Sequence, residues 1–182
     1  MKRVAVRFAY LGDGFSGSQI QPEVRTVEGE MRAALHKVCG LDDDRLDLRI
    51  ASRTDRGVNA LGNVAVFNTG IEDPDTLLRA LNAVSDGIFY TAYAEVDGDF
   101  NPRHASARSY RYVIPSEGLD IDLARECAKL FIGEHDFVRF CRPDGKPTVA
   151  TVDSIDVSAE GETIVLTYRA RFFLWNLSLI HI

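Results

Sequence analysis

In RVAVRFAY, near the start of the chain, apolar and polar residues alternate with a period of two. This predicts a strand from about Arg3 to Tyr10 with one buried face. The glycine-rich stretch GDGFSGSQIQPEV then reads as a loop. Thr26 suits a helix N-cap, and Val27, Met31, Ala34, Leu35 and Val38 recur at helical spacing up to Cys39-Gly40. The acidic run DDD predicts a loop. Alternation at Leu46, Leu48 and Ile50 predicts a second strand ending just before Arg53, and the apolar run in Asn63–Phe67 a third. Pro74 fits the first turn of a helix carrying Leu77, Leu78, Leu81 and Val84. IFYTAYAEV predicts a fourth strand.

The resulting order, β-α-β-β-α-β, is the ferredoxin-like arrangement. It then begins again. SYRYVIP predicts a strand and Asp122–Ile132 a helix. VATVDSIDVSAE and ETIVLTYRARFFLW predict two antiparallel strands joined at Glu160-Gly161-Glu162. The expected fold class is therefore α+β: two ferredoxin-like halves with a joined antiparallel sheet, the second half incomplete. The expected domains are 1–100 and 101–176, followed by a tail at 177–182.

Composition narrows the function. The chain has 182 residues, 46% of them apolar, enough for a real core. No apolar run approaches the roughly 18 residues of a membrane span, and MKRVAVRFAY lacks the apolar core of a signal peptide. Cys39, Cys127 and Cys141 are scattered and form no CxxC pair. They read as reduced thiols of a cytoplasmic protein with little support for a metal site. The net charge of −6 argues against a simple nucleic-acid binder. The charge is segregated, however. Glu72–Asp99 carries seven acids and one arginine, whereas Arg103, His104, Arg108 and Arg111 lie in a segment without acids.

Two constellations could carry chemistry. In ASRTDRGVNALGNVAVF, Asp55 sits between Arg53 and Arg56 and is followed by Gly57. A carboxylate close to guanidiniums is held ionised, which suits a nucleophile or an electrostatic stabiliser rather than a general acid. One carboxylate alone differs from a standard glycosidase, which needs two. A surface ion-pair cluster is the plainer reading of the same residues. In RHASARSYRYVI, Tyr110 and Tyr112 share a strand face among arginines, the make-up of a platform for unstacked bases; burial in the core is the plainer alternative. GDGFSGS lacks the ending of a P-loop and reads as a flexible loop. His135 reads as a helix-end or packing residue.

These stretches together resemble the tRNA pseudouridine synthase A family. SRTDRGVNALGNVAVF is similar to the family's motif around its catalytic aspartate, FAYLGDGFSGSQIQP with RTVEG to its opening strand and loop, and NPRHASARSYRYVI to its second motif. GEHDFVRF and RFFLWN resemble further family stretches. Arg56, Asn59 and GSQ give the resemblance an archaeal or eukaryotic cast, and the family member expected is archaeal-like. The resemblance implies that Asp55 is the catalytic aspartate and that Arg53 pairs with it and helps hold the place of the flipped nucleotide. It implies that Tyr110 stacks on the target uracil and that Arg103 and Arg108 contact phosphate. It implies isomerisation of uridine to pseudouridine on the 3′ side of the tRNA anticodon arm, without metal or organic cofactor, by a cytoplasmic homodimer. A non-catalytic, RRM-like RNA-binding module is the alternative function, and a small nucleoside or sugar hydrolase a third.

The resemblance stops after Trp175-Asn176, where the family expects a basic residue. LSLIHI can be encoded by DNA resembling a transposon mosaic-end adapter, so residues 177–182 are expected to be non-native. The chain is then expected to be a truncated family member of weak or no activity.

Overall fold

The computed structural model describes residues 1–141, 145 and 147–174. The tail at 177–182, and Trp175 and Asn176 before it, lie outside the described residues. The chain divides into two compact units, Met1–His104 and Ala105–Ile182.

The first unit runs β1 (Lys2–Tyr10), a single 3-10 turn (Gly12–Gly14), α1 (Val27–Cys39), α2 (Asp43–Leu46), β2 (Arg49–Ile50), β3 (Ala60–Thr69), α3 (Pro74–Val84) and β4 (Ile88–Glu95). Its antiparallel sheet has the order β2-β3-β1-β4, as the β-α-β-β-α-β reading requires. The alternation in β1 sends Val4, Val6, Phe8 and Tyr10 to one face. There they are buried with Met31 and Leu35 of α1, Leu77 and Leu81 of α3, and Phe67 of β3. Fully burying a side chain of this size contributes about 1.5–3 kcal/mol, so this one face accounts for much of the unit's stability.

Local signals set the helix ends. The Thr26 hydroxyl accepts from Gly29 N at 3.2 Å, and Gly40 ends α1 in the left-handed region at φ 65°. Asp73 caps α3 through Thr76 N at 2.8 Å, with Pro74 in the first turn. The segment after α1 differs from the sequence reading. The acidic run forms α2, capped by the Asp42 carboxylate on Arg45 N at 2.9 Å. Leu46 ends that helix, fully buried, and β2 is only two residues long. Asp47 makes the turn between them at φ 42°, an uncommon conformation for a non-glycine residue. The buried Arg3 guanidinium holds it, meeting both the Asp47 carboxylate and its carbonyl at 3.1 Å.

The second unit runs β5 (Arg108–Pro115), α4 (Ile121–Lys129), β6 (Gly133–Asp136), β7 (Val149–Glu160) and β8 (Thr163–Ala170), in sheet order β5-β8-β7-β6. β5, β8 and β7 take the places that β1, β3 and β2 take in the first sheet, and β6 adds an outer strand. Gly161, at φ 62°, turns β7 into β8. The strands order as two four-stranded antiparallel sheets, one in each unit, as two ferredoxin-like halves require. β6 is a strand where the sequence reading had none. His135 lies on it rather than at a helix end, its ring 5.8 Å from that of Phe137. Phe137, Ala150 and Val152 are buried together, with Phe131, Phe140 and Ile155 packed against them, and Ile164, Val165 and Ala170 of β8 are buried as well.

Candidate active site

Asp55 lies on the loop between β2 and β3. That loop is fixed by the neighbouring glycine-rich loop, residues 11–18. The Ser18 hydroxyl accepts from Thr54 N at 2.7 Å and donates to Thr54 O at 3.2 Å, and Ser18 N donates to the same carbonyl at 3.0 Å. The Tyr10 hydroxyl meets Thr54 Oγ1 at 2.7 Å. Thr54 is therefore held at its amide, its carbonyl and its side chain, one residue before Asp55.

The other side of the loop is tied as well. Gly12 N donates to Asn59 Oδ1 at 2.7 Å. The Asn63 side chain accepts from Ser52 N at 3.2 Å and donates to Ser52 O at 2.8 Å. Just after Asp55 the backbone turns at Gly57, φ 81°, closed by Val58 N on Asp55 O at 3.3 Å. The buttress requires glycines. A Cβ on Gly12 would sit 2.3 Å from Val58 O, and Gly17, at φ 98°, passes close to the Thr54 carbonyl. The loop read from sequence as flexible is thus a buttress. Its signal was the density of small residues between a buried strand and a capped helix, but the partner across the fold could not be read locally.

With its backbone held, the Asp55 side chain is exposed and has no hydrogen bond or ion pair among the described residues. The expected pairing of Arg53 with Asp55 does not form. Arg53 instead lines a hollow of about 220 Å³ that Asp55 does not line. Arg32 of α1, Arg49 of β2, Arg103, Glu28 and Ser18 share that lining. The structure thus brings together two of the predicted residues, Arg53 and Arg103, and adds two arginines the sequence reading had not singled out. Arg32 is compensated by Glu28 at 2.8 Å and Asp43 at 2.6 Å, and Arg49 by Asp47 at 3.1 Å. Arg32 lowers the Asp43 carboxyl below its ordinary value by hydrogen bonding, although Asp43 is exposed.

In the second unit Tyr110 and Tyr112 lie on the less exposed face of β5, together with Arg108. Tyr110 pairs in register with Tyr168 of β8, and its ring meets Phe173 edge-on at 4.8 Å. Tyr112 meets Tyr168 edge-on at 5.7 Å. The Arg108 guanidinium donates to the Arg171 carbonyl, tying the start of β5 to the chain beyond β8. Among the described residues, no group of three or more His, Cys, Asp or Glu side chains is placed to hold a metal ion. No helix among them is long and apolar enough to cross a membrane.

For a ferredoxin-like unit presenting a clamped, exposed carboxylate and an arginine-lined hollow, comparison with known proteins gives the class. The family profile described as tRNA pseudouridine synthase matches residues 127–177. A tRNA pseudouridine synthase A of Pyrococcus abyssi is 43% identical over 177 residues, covering 96% of this chain and 65% of that protein. Its counterpart from Methanosarcina mazei is 43% identical over 180 residues, covering 96% and 66%. That of Thermococcus sibiricus is 41% identical over 180 residues, covering 97% and 67%. The chain belongs to the tRNA pseudouridine synthase A family. It spans about 65% of the length of the first of these relatives.

Proposed function

We propose that this chain isomerises uridine to pseudouridine in the anticodon arm of tRNA, with Asp55 as the catalytic carboxylate. The reaction breaks the N1–C1′ bond, turns the uracil while it is held, and joins C5 to C1′. The C5 proton leaves and N1 gains one, so the composition of the nucleotide is unchanged. The target must first leave its stack, at a cost of a few kcal/mol. Stacking on Tyr110, at about 1–3 kcal/mol per base, offsets that cost, as do arginine contacts to phosphate from Arg53, Arg103 and Arg108. Asp55 attacks as an anion, at C1′ or at C6. Fixing its backbone while leaving its oxygens unengaged puts a nucleophile in place before substrate arrives, which lowers the ordering needed in the reactive complex.

The observation that carries this reading is the placement of Asp55: exposed, unpaired among the described residues, and clamped on both sides through Thr54 and Asn59. The 43% identity to the Pyrococcus abyssi synthase over nearly the whole chain supports it. On the same reading the protein works in the cytoplasm as a homodimer on one tRNA, without metal or organic cofactor. The test is tritium release from C5-labelled uridine in tRNA transcripts. Weak release by the parent chain, with none from Asp55→Asn, is the expected result. Release at the parent rate by Asp55→Asn would remove Asp55 from the mechanism. RNA binding by both proteins, with release by neither, would make the chain a binding module instead.

A further inference from the structure

The two sheets end in four edge strands, β2, β4, β5 and β6. An edge strand offers unpaired N–H and C=O groups to any other strand, and folds commonly blunt it. Three of these four are blunted. β2 is two residues long. β6 is four, and its Glu134, His135 and Asp136 are exposed. β4 is longer, but the Asn82 side chain of α3 closes it: Tyr90 N donates to Asn82 Oδ1 at 2.8 Å, and Asn82 Nδ2 donates to Tyr90 O at 2.9 Å. β5 is eight residues long and rich in aromatic and β-branched side chains.

The alternation along β5 fixes which backbone groups face its open edge. Ser116 N donates to Glu162 O at 2.9 Å, continuing the β5–β8 register. Hydrogen-bonded and non-hydrogen-bonded pairs alternate along an antiparallel ladder. Arg108, Tyr110, Tyr112 and Ile114 therefore direct their N–H and C=O groups to β8, whereas Ser109, Arg111 and Val113 direct theirs outward. Pro115, which has no N–H, falls in the outward set, where it removes no ladder bond. Charge does not guard this edge either. Arg111 reaches across β8 to Glu160 of β7 at 2.8 Å, and the Arg108 guanidinium donates to the Arg171 carbonyl beyond β8. Both lean away from the open side.

We propose that β5 is an interaction edge and that its occupant is β5 of a second copy of this chain, paired antiparallel about Arg111. In that register Ser109 lies opposite Val113 of the other copy and Arg111 opposite its counterpart, so each outward N–H meets an outward C=O. On the less exposed face Tyr110 meets Tyr112 of the other copy. This is an aromatic cross-strand pair of the closer kind, with Cα atoms about 4.5 Å apart. Two Arg111 side chains would repel at the axis, but each is drawn off by Glu160 of its own chain. A register centred on Val113 is poorer, because it sets Pro115 opposite Arg111 and leaves the Arg111 carbonyl without a donor. A strand pair this short makes a small interface, so the dimer is reversible and concentration-dependent. The inference stands on the strand edge and holds whether or not the chain isomerises uridine.

The test is sedimentation equilibrium of the 182-residue chain over a wide concentration range, with residue-resolved amide hydrogen exchange by NMR at both ends of that range. The parent should shift from monomer to dimer. The amides of Ser109, Arg111 and Val113 should gain protection as it does, while those of Tyr110, Tyr112 and Ile114, already bonded to β8, stay protected throughout. Val113→Pro removes an outward donor and no bond to β8, and should abolish the shift. Val113→Lys places a charge on the edge and should weaken the dimer; it replaces the proline variant if circular dichroism shows that proline disturbs the fold. Leu130→Lys, at an exposed apolar residue just after α4, should leave the shift unchanged.

A parent that stays monomeric while the three outward amides exchange freely overturns the proposal. A dimer that survives both Val113 variants overturns it too. Loss of the dimer in Leu130→Lys overturns it in favour of an interface on α4. Protection of the outward amides in a monomer overturns it in favour of another segment of the same chain covering the edge.

Discussion

Substituting Gly12 by alanine tests the buttress directly. The added Cβ would lie 2.3 Å from Val58 O, 2.5 Å from Val58 C and 2.6 Å from Gly57 C. Real Cβ atoms essentially never come under 3.0 Å, so the two loops must separate by at least 0.7 Å, the gap between 2.3 and 3.0 Å. Every atom in the way is backbone, so no side chain can swing aside. The bond from Gly12 N to Asn59 Oδ1, now 2.7 Å, must stretch or tilt as well. Overpacking of this kind costs about 1–3 kcal/mol. For a unit of this size each kcal/mol lowers the melting temperature by roughly 4–8 °C. Activity should suffer more, because a misplacement near 1 Å can cost about 10²-fold. Gly14→Ala is the control: it lies in the same 3-10 turn, but its Cβ would meet only the end of the Arg25 side chain, at 3.4 Å. Thermal melts followed by circular dichroism and tritium release from labelled tRNA give the two readouts. If Gly12→Ala melts with Gly14→Ala and turns over equally well, the close approach is not there and the buttress argument fails.

Other outcomes follow from single contacts. Ser18→Ala strips Thr54 N of its hydroxyl partner inside a nearly closed site, and urea melts should show a loss of about 1–3 kcal/mol; no loss would mean that water replaces the hydroxyl. Asp55→Asn should change stability by less than about 0.5 kcal/mol, since its carboxylate has no partner among the described residues; a larger loss would make Asp55 structural. Burial pushes the Tyr90 phenol up to about 12, whereas an unfolded chain ionises near 10. Stability from this group is therefore intact below about pH 10 and falls between about 10 and 12, by roughly 2–3 kcal/mol in all. Urea melts of the parent against Tyr90→Phe across that range should show the steeper decline in the parent, burial of Tyr168 leaving a smaller one in both; parallel declines would refute it.

Much of the first unit was legible because its signals are local. Thr26 and Gly40 bracket α1, Pro74 opens α3, and β1 alternates along its whole length. The segment between α1 and β3 was not. Leu46, Leu48 and Ile50 alternate as a strand would, yet Leu46 is buried at the end of a four-residue helix. What decides this is Asp47, held at positive φ by the buried Arg3 from 44 residues away. β6 escaped notice because four residues, GEHD, on a sheet edge need no apolar face. At the site the candidate carboxylate stood out through its motif. The reach of Arg53 and Arg103 into one hollow, and the failure of Arg53 to pair with Asp55, depend on where the loop after β2 and the turn after β4 carry these side chains. No spacing along the chain encodes that.

Ser18 is hydrogen-bonded at once to Thr54 and, through its carbonyl, to the first turn of α1. A saturation-mutagenesis survey would therefore score positions 12, 17 and 18 as harshly as 55, although none of the three would handle the nucleobase. Intolerance to replacement in this protein reports the carpentry of a loop as faithfully as it reports chemistry. A map of essential positions alone would draw the reactive centre several residues too large.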